Sequence, residues 1–350
     1  MLPYITTFYG NPSSLYKLGR IARSAIDTAR EQVAALVDAQ PAQIIFTSGG
    51  TEANNLALSV MPINSAIAVS AIEHPSVVEF SSQWKNNRQS IPVDSAGLVS
   101  ISTIKAIFKQ AAIPRLVSVM MANNETGAIQ DIEEIAEFLS SKQVLMHTDA
   151  VQAIGKMPVS FAQLGADLMS VSSHKIYGPK GCGALVFDKK IEINPLLIGG
   201  GQENGLRAGT ENVAAIVGFG KAAELAVLEM DQRAEHCLVL RLRLEQGLKT
   251  IPNVTVFSEQ VARLPNTVQF SIQGIDGEML LMQLDRKNIA VSSGSACASG
   301  GGKASPVLTA MGIDYQIAKS AIRVSFGKNN TEEEINQFIL VLKSFLTKDR

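Results

Sequence analysis

Short apolar runs alternate with longer amphipathic segments between Gln43 and Phe187. Helical patterns such as "TEANNLAL" and "DIEEIAEFL" separate the runs. Apolar strands bounded by polar turns and separated by helix-length segments indicate βαβ units with a mainly parallel sheet covered on both faces, which is an α/β fold. The predicted strands lie in "QIIFTSGG", "SAIAVSAIEH", "RLVSVMMANNE", "VLMHTDA", "DLMSVSSHK" and "GALVFD".

A second, shorter alternation follows a long helical stretch from about Thr210 to Leu248. This pattern predicts a smaller α+β C-terminal domain, and we place the domains at 1–228 and 229–350. Its strands are predicted in "NVTVF", "LPNTVQFSI", "IAVSS" and "AIRVSF", and its helices in "GEMLLMQLDRK", near 305–311 and in "TEEEINQFILVLKSFL".

The composition excludes several classes of partner. The 350 residues carry 31 basic and 32 acidic side chains, a formal net charge of -1, so no basic surface predicts nucleic acid or an anionic membrane as a partner. Residues 1–14 lack the features of a signal peptide, and no apolar run has the length of a membrane span. We therefore expect a cytosolic protein that binds small molecules or other proteins.

Three cysteines are too few and too scattered for a disulfide framework, and no Cys/His spacing suggests a metal site. Cys182 and Cys237 lie in apolar patterns typical of small buried residues. Cys297 lies in "SSGSACASGGG" (292–302), a segment that cannot build a core around it. It is either a reactive, accessible thiol or a chance cysteine in a surface loop.

The residues that follow each predicted strand are the candidates for chemistry, because open α/β sheets bind ligands beyond the carboxyl ends of their strands. In "SGGTEANN" two glycines form a turn before a helix, and this turn is either a phosphate-binding site or only a turn. It lacks the Gly-Lys-Ser/Thr ending of a nucleotide-binding loop, which disfavours ATP and GTP as ligands. The side chains collected at this edge are His74, Asn124, Asp149, Gln152, His174 and Lys175.

Lys175 and Asp149 each allow two interpretations. Lys175 is either a desolvated amine able to form a Schiff base or a rim lysine paired with a carboxylate. Asp149 either pairs with the pyridine nitrogen of pyridoxal phosphate or caps a helix. A phosphate-type turn, an aspartate and a lysine follow in this order at strand ends. Together they indicate a pyridoxal phosphate site far more specifically than any one of them does alone.

Eight motifs, in order, resemble those of the cysteine desulfurases, which are pyridoxal phosphate enzymes of the class V aminotransferase family. The resemblance runs from about Gly10 to the C-terminus and implies the aspartate aminotransferase-like fold with a seven-stranded sheet. The motifs are "FTSGGTEANNLAL", "EHPSV", "NNETGAIQDI", "HTDAVQAIGK", "SSHKIYGPKGCGAL", "GGGQENGLRAGTENV", "SSGSACASG" and "IRVSFG".

The resemblance implies a role for each matching residue. Lys175 would hold the cofactor as a Schiff base, and Asp149 would face its pyridine nitrogen. Gln152 would hydrogen-bond the phenolic oxygen, and His74 would stack on the ring and help to move protons. The phosphate would be bound by Gly50, Thr51, Ser172 and His174. Thr210 would join them from the other subunit of a homodimer.

The same resemblance implies the substrate and the reaction. Arg323, helped by Asn124, would bind the carboxylate of L-cysteine as a bidentate pair. Cys297 would attack the substrate sulfur, leaving L-alanine and a persulfide for an acceptor protein in iron–sulfur cluster assembly or tRNA thiolation. A glycine- and serine-rich loop gives such a thiol the freedom to reach both the site and the acceptor.

Two features depart from the family pattern. "GGGKASPVL" replaces the acidic-Pro-Ser continuation common after the cysteine, which bears on the acceptor. Only nine residues precede Gly10, where relatives usually carry a further strand, turn and helix that help to wall the substrate side of the site; this indicates a shortened chain, a misplaced start or a weakened enzyme. Alternatives are a related class V aminotransferase or selenocysteine lyase, a cofactor-binding but weakly active dimeric platform for sulfur transfer and, more remotely, a nucleotide-binding protein.

Overall fold

The computed structural model describes residues 1–110, 112–293 and 304–348, with the last three as backbone only. Contacts divide the chain into two compact units, and the long helix passes from the first to the second after Met230. Unit 1 consists of Met1–Ile91, Ile101–Met121 and Asp131–Met230, and unit 2 of Pro92–Ser100, Ala122–Gln130 and Asp231–Arg350.

Unit 1 is built on a seven-stranded sheet in the order β1-β7-β6-β5-β4-β2-β3. Strand β7 is antiparallel to both of its neighbours, and the remaining pairs are parallel. This confirms the predicted α/β fold with a mainly parallel sheet. The strands are β1 (Ile44–Thr47), β2 (Ile67–Ser70), β3 (Arg88–Ile91), β4 (Leu116–Ser118), β5 (Leu145–Asp149), β6 (Leu168–Ser172) and β7 (Gly183–Phe187).

Strand β3 was absent from the sequence-based assignment. Its residues, "RQSI", include only one that is buried, Ile91, whereas every residue of β2 beside it is buried. An edge strand pairs on one side only and needs no apolar run, so hydrophobic patterning does not reveal it.

The helices of unit 1 pack through small residues where they meet closely. A Cβ atom on Gly220 would lie 2.7 Å from Cβ of Ala29, so these positions allow close helix contact. Within the described ranges, no helix combines the length and apolarity needed to cross a membrane. The helices are α1 (Leu2–Thr6), α2 (Lys17–Leu36), α3 (Gly50–Leu58), α4 (Pro75–Ser81), α5 (Ile101–Ile107), α6 (Ile132–Ser141), α7 (Phe161–Leu164) and the first part of α8 (Val213–Lys249); α5 begins where unit 1 resumes.

A buried ion pair fixes strand β1. The Arg30 guanidinium donates to both carboxylate oxygens of Glu203 at 2.7 and 2.8 Å and also to the carbonyl of Ile44 at 2.7 Å. The Phe46 backbone N–H donates to the same carboxylate at 3.0 Å. Because β1 leads directly into the glycine turn before α3, this pair holds one side of the candidate site.

Unit 2 contains a four-stranded antiparallel sheet in the order β10-β11-β9-β8. Its core packs α8 and α12 around Phe270, Leu244 and Phe338. The amide of Gln130 joins the two inserted segments, accepting from Val99 N at 2.8 Å. The elements are β8 (Val254–Val256), β9 (Thr267–Ile272), β10 (Ser292–Ser293), β11 (Ile322–Ser325), α9 (Gly277–Asp285), α10 (Pro306–Ala310), α11 (Tyr315–Lys319) and α12 (Glu332–Lys348).

Candidate active site

The carboxyl ends of the parallel strands bring three predicted site residues together in unit 1. Asp149 ends β5, Lys175 lies on a short 3-10 helix directly after the neighbouring β6, and His74 follows β2. The three groups interact electrostatically: Asp149 raises the pKa of His74, whereas Lys175 lowers it. The structure thus places a carboxylate, an imidazole and an amine in one cluster.

Asp149 is a buried hydrogen-bond acceptor close to the titratable groups of His74 and Lys175. Its Oδ2 accepts from Nδ2 of Asn54 at 2.7 Å and its Oδ1 from the Val151 N–H at 2.9 Å. Burial raises its pKa, while these hydrogen bonds and the charges of His74 and Lys175 act in the opposite direction. A buried carboxylate favours a cationic partner, so this group fits the protonated nitrogen of a pyridine ring.

His74 caps helix α4 with its own side chain. Its Nδ1 accepts from the backbone N–H of Ser76 at 3.1 Å and lies 2.8 Å from the Ser76 hydroxyl. Burial lowers the pKa of His74, and the charge of Lys175 lowers it further against the opposing effect of Asp149. The imidazole is therefore neutral near pH 7.

The turn between β1 and α3 has the form of an anion cradle. The N-cap Gly49 provides no side-chain cap, and its φ of 156° belongs to a region that L side chains rarely adopt. A Cβ atom on Gly50 would lie 3.0 Å from Cγ2 of Val151 and 3.6 Å from Cβ of Ser172. The helix N–H groups therefore lie close to Ser172, whose hydroxyl is 2.9 Å from Nδ1 of His174. This arrangement, with Thr51 as the next helical residue, suits a phosphate.

Lysines surround His174 and help to organise this edge. Burial lowers the pKa of His174, as do the charges of Lys175, Lys180 and Lys156. Lys156 also donates to Oε1 of Gln152 at 2.8 Å. Because an ammonium group is only a donor, the Gln152 amide turns its oxygen to Lys156, leaving Nε2 to donate to another group.

Thr210 lies in the same unit and is exposed. The segment before it is tied to the glycine turn by Arg207, which donates to the two Glu52 oxygens at 2.8 and 3.2 Å. The Ser48 N–H donates to the same carboxylate at 2.7 Å. Burial raises the pKa of Glu52, but the bonds from Arg207 and Ser48 outweigh it and hold the pKa below its ordinary value.

The two predicted substrate-binding residues meet in unit 2. Arg323 on β11 donates from Nη1 to the backbone carbonyl of Asn124 at 3.0 Å. Next to Asn124, the buried Glu125 accepts from Nε2 of Gln269 at 3.0 Å and from the Ser305 hydroxyl at 2.5 Å. Burial raises the pKa of Glu125 to about 6, with these hydrogen bonds and the charge of Arg323 opposing the rise.

The remaining predicted residue, Cys297, lies outside the described residues, as does most of the 292–302 loop; only Ser292 and Ser293 are described, as β10. Sequence reasoning also missed several supporting residues. Asn54 could have been found as a polar side chain on the apolar face of α3, where Ala53 and Leu56 are also buried. The others are Glu52, Ser76, Glu125, Lys156 and Arg207, which carry no periodic signal.

The chain resembles known proteins over its whole length. The chain is 42% identical over 359 residues to "Cysteine desulfurase IscS" of Methanosarcina thermophila, covering 100% of this chain and 88% of that protein. The protein of the same name from Dictyoglomus turgidum is 41% identical, with 100% and 91% covered. The solved "NifS-like protein from Rickettsia africae ESF-5" superposes with a TM-score of 0.90 at 38% identity, covering 96% and 92% of the two chains. Residues 1–338 match the model of the class-V aminotransferases, and the chain belongs to that family.

Proposed function

We propose that this chain is a cysteine desulfurase, which converts L-cysteine to L-alanine and transfers the sulfur to Cys297. The observation that carries the proposal is the cluster of a buried Asp149 with Lys175 and His74 at the carboxyl ends of β5, β6 and β2. Relatives at 41–42% identity over the whole chain carry the name cysteine desulfurase, which supports the same reaction.

The family depends on pyridoxal phosphate, and the residues present fit this cofactor. Asp149 offers a buried carboxylate to the ring nitrogen, Lys175 an amine for covalent attachment, and Gln152 a donor for the phenolic oxygen; His74 lies beside them. When bound, the cofactor supplies an electron-withdrawing ring that stabilises negative charge next to the substrate nitrogen. The proposed phosphate ligands are Gly50, Thr51, Ser172 and His174 of one subunit, together with Thr210 from the other subunit of the homodimer.

The protein's own residues supply binding and proton transfer. Arg323, with Asn124 beside it, binds the substrate carboxylate. The Lys175 amine would move protons at the substrate carbon. Cys297 attacks as a thiolate, so that a sulfur–sulfur bond forms while the substrate carbon–sulfur bond breaks and its electron pair stays with the alanine product.

The wider setting of the activity is also part of the proposal. The relatives carry the name cysteine desulfurase IscS, which is consistent with delivery of sulfur for iron–sulfur cluster assembly. The acceptor or scaffold protein, and a role in tRNA thiolation, stay predictions. A homodimer would let Thr210 serve the site of the partner subunit. The division into domains at 1–228 and 229–350 and the cytosolic location stay predictions.

The test is a visible absorption spectrum of the purified full chain, followed by L-cysteine, with alanine and sulfide measured in parallel. We expect a cofactor band and cysteine-dependent alanine, with sulfur transfer abolished by Cys297→Ser. Cys182→Ala is the matched control, because this buried thiol, whose pKa burial raises to about 12, has no place in the reaction. Alanine formation untouched by Cys297→Ser would favour a selenocysteine lyase, and a cofactor band without alanine would favour an aminotransferase or a weakly active platform. A missing cofactor band would refute the proposal.

A further inference from the structure

A continuous chain of side chains joins Asp149 to His74 through Asn54 and Ser76. Nδ2 of Asn54 lies 2.7 Å from Oδ2 of Asp149 and 2.8 Å from Oγ of Ser76, and that Oγ lies 2.8 Å from Nδ1 of His74. Asn54, Ser76 and Asp149 are all buried. Each polar hydrogen of these buried side chains therefore needs an acceptor within this row of hydrogen-bonded groups.

The direction of each hydrogen bond follows from the donor and acceptor inventory. An amide nitrogen carries two hydrogens and no acceptor, so Asn54 gives one to the Asp149 carboxylate and the other to the Ser76 oxygen. The opposite amide orientation would put Oδ1 of Asn54 against the carboxylate, oxygen to oxygen. Oδ1 has no hydrogen-bond partner among the described residues. Satisfying the carboxylate thus decides the orientation.

The hydroxyl of Ser76 passes this polarity on to the imidazole. Its oxygen accepts from Asn54, so its single hydrogen is left for Nδ1 of His74. The Ser76 backbone N–H donates to the same Nδ1 at 3.1 Å. Two donors that converge on one nitrogen exclude a hydrogen from it.

We propose that Ser76 and Asn54 are positioning residues that hold His74 as the tautomer protonated at Nε2. Neutral His74 then presents a hydrogen-bond donor from Nε2 and has its only lone pair occupied at Nδ1. The imidazole ring therefore acts as a hydrogen-bond donor, and the group that accepts a proton from the substrate is a different one. If the proposed function holds, that base is the Lys175 amine, and this last step alone rests on the proposed function.

The charged groups that act on His74 are consistent with a neutral ring. Asp149 favours the cation and Lys175 disfavours it, while burial disfavours it most. Protonation at Nδ1 would also break the cap of α4, because the Ser76 N–H would face another N–H. The neutral donor tautomer is thus stabilised by the fold of α4 as well as by the side-chain network.

The experiment is long-range 1H–15N correlation NMR of the full-length protein with labelled histidine, before and after addition of pyridoxal phosphate. The chain has only four histidines, and His74→Gln identifies the resonances of His74. Near neutral pH we expect a protonated Nε2 and an unprotonated, hydrogen-bonded Nδ1 in the native protein. A protonated Nδ1, or a comparable mixture of both tautomers, would overturn the proposal without any variant.

Two variants test the network itself. Ser76→Ala removes the hydroxyl donor, so the Nδ1 resonance should move towards that of a nitrogen with fewer hydrogen-bond donors, and Asn54→Ala should move it less in the same direction. Asn55→Ala is the matched control, because the neighbouring amide donates to the Ser76 carbonyl at 2.7 Å and not to the Ser76 hydroxyl or to His74. An Nδ1 resonance unmoved by Ser76→Ala, or moved equally by Asn55→Ala, would refute the role of Ser76.

The NMR readout separates this proposal from the proposed function. It needs neither cysteine nor turnover, so the expected tautomer in a protein that forms no alanine would refute desulfurase activity alone. A protein that forms alanine but carries the other tautomer would refute the positioning role alone.

Discussion

Replacement of Glu203 by glutamine should destabilise unit 1 through its effect on strand β1. Only 2% of the Glu203 side chain and 15% of the Arg30 side chain are exposed, and the carboxylate accepts from Nη1 and Nη2 of Arg30 and from Phe46 N. Breaking a buried pair costs about 3–5 kcal/mol because one charge stays buried without compensation. We expect about 3 kcal/mol, the lower end, because Arg30 keeps its bond to the Ile44 carbonyl.

The assay is urea unfolding of Glu203→Gln against the native protein. Lys190→Met is the matched control in the same unit, since its pair with Asp188 is 3.6 Å long and 89% of the Lys190 side chain is exposed. The control should change the free energy of unfolding by less than about 0.5 kcal/mol. A loss below about 1 kcal/mol for Glu203→Gln would refute the reasoning, because a buried, uncompensated guanidinium should cost more.

Three further predictions concern pH and the cofactor. Burial raises the pKa of Glu73 to about 8, so the folded protein keeps a proton that the unfolded chain releases above about pH 4.5. The free energy of unfolding should therefore fall as the pH rises from about 4.5 to about 8. In urea titrations at several pH values, Glu73→Gln should make this fall less steep. Burial lowers the pKa of His147 to about 3, so the unfolded chain alone takes up this proton below about pH 6.5; stability should fall as pH decreases from there, less steeply in His147→Asn. Arg207→Met, which breaks the pair with Glu52, should weaken pyridoxal phosphate binding about tenfold in an absorbance titration. A change below about twofold would contradict the inference that Arg207 ties the segment before Thr210 to the glycine turn before α3.

The hydrophobic pattern was informative wherever burial on both faces of the sheet demanded an apolar run. It located β1, β2 and β4 to β7 and, with them, the strand ends that carry Asp149 and Lys175. The two-residue β10 is shorter than the run "IAVSS" suggested, because its pairing with β11 begins only at Ser292. Patterning reports burial, and it does not report where pairing begins.

The pattern of α3 reveals the buried polar side chain of Asn54, but it does not reveal the hydrogen bonds of the supporting network. Asn54 and Ser76 act through the direction of single hydrogen bonds that join α3 to α4 and to the end of β5, and sequence spacing gives no information about such contacts. The same holds for Glu125, whose partners Gln269 and Ser305 lie 144 and 180 positions away along the chain. Long-range polar contacts depend on the tertiary fold, which patterning does not encode.

The interleaving of the two units has a consequence for synthesis on the ribosome. Ala122–Gln130 belongs to unit 2 but is translated before most of it, and Glu125 finds its partners only when Gln269 and Ser305 have been made. At about 5–20 residues per second, that interval lasts on the order of 10–40 s. Throughout it, the nascent chain carries a carboxylate destined for the interior but still hydrated, so unit 2 can complete its folding only late in translation.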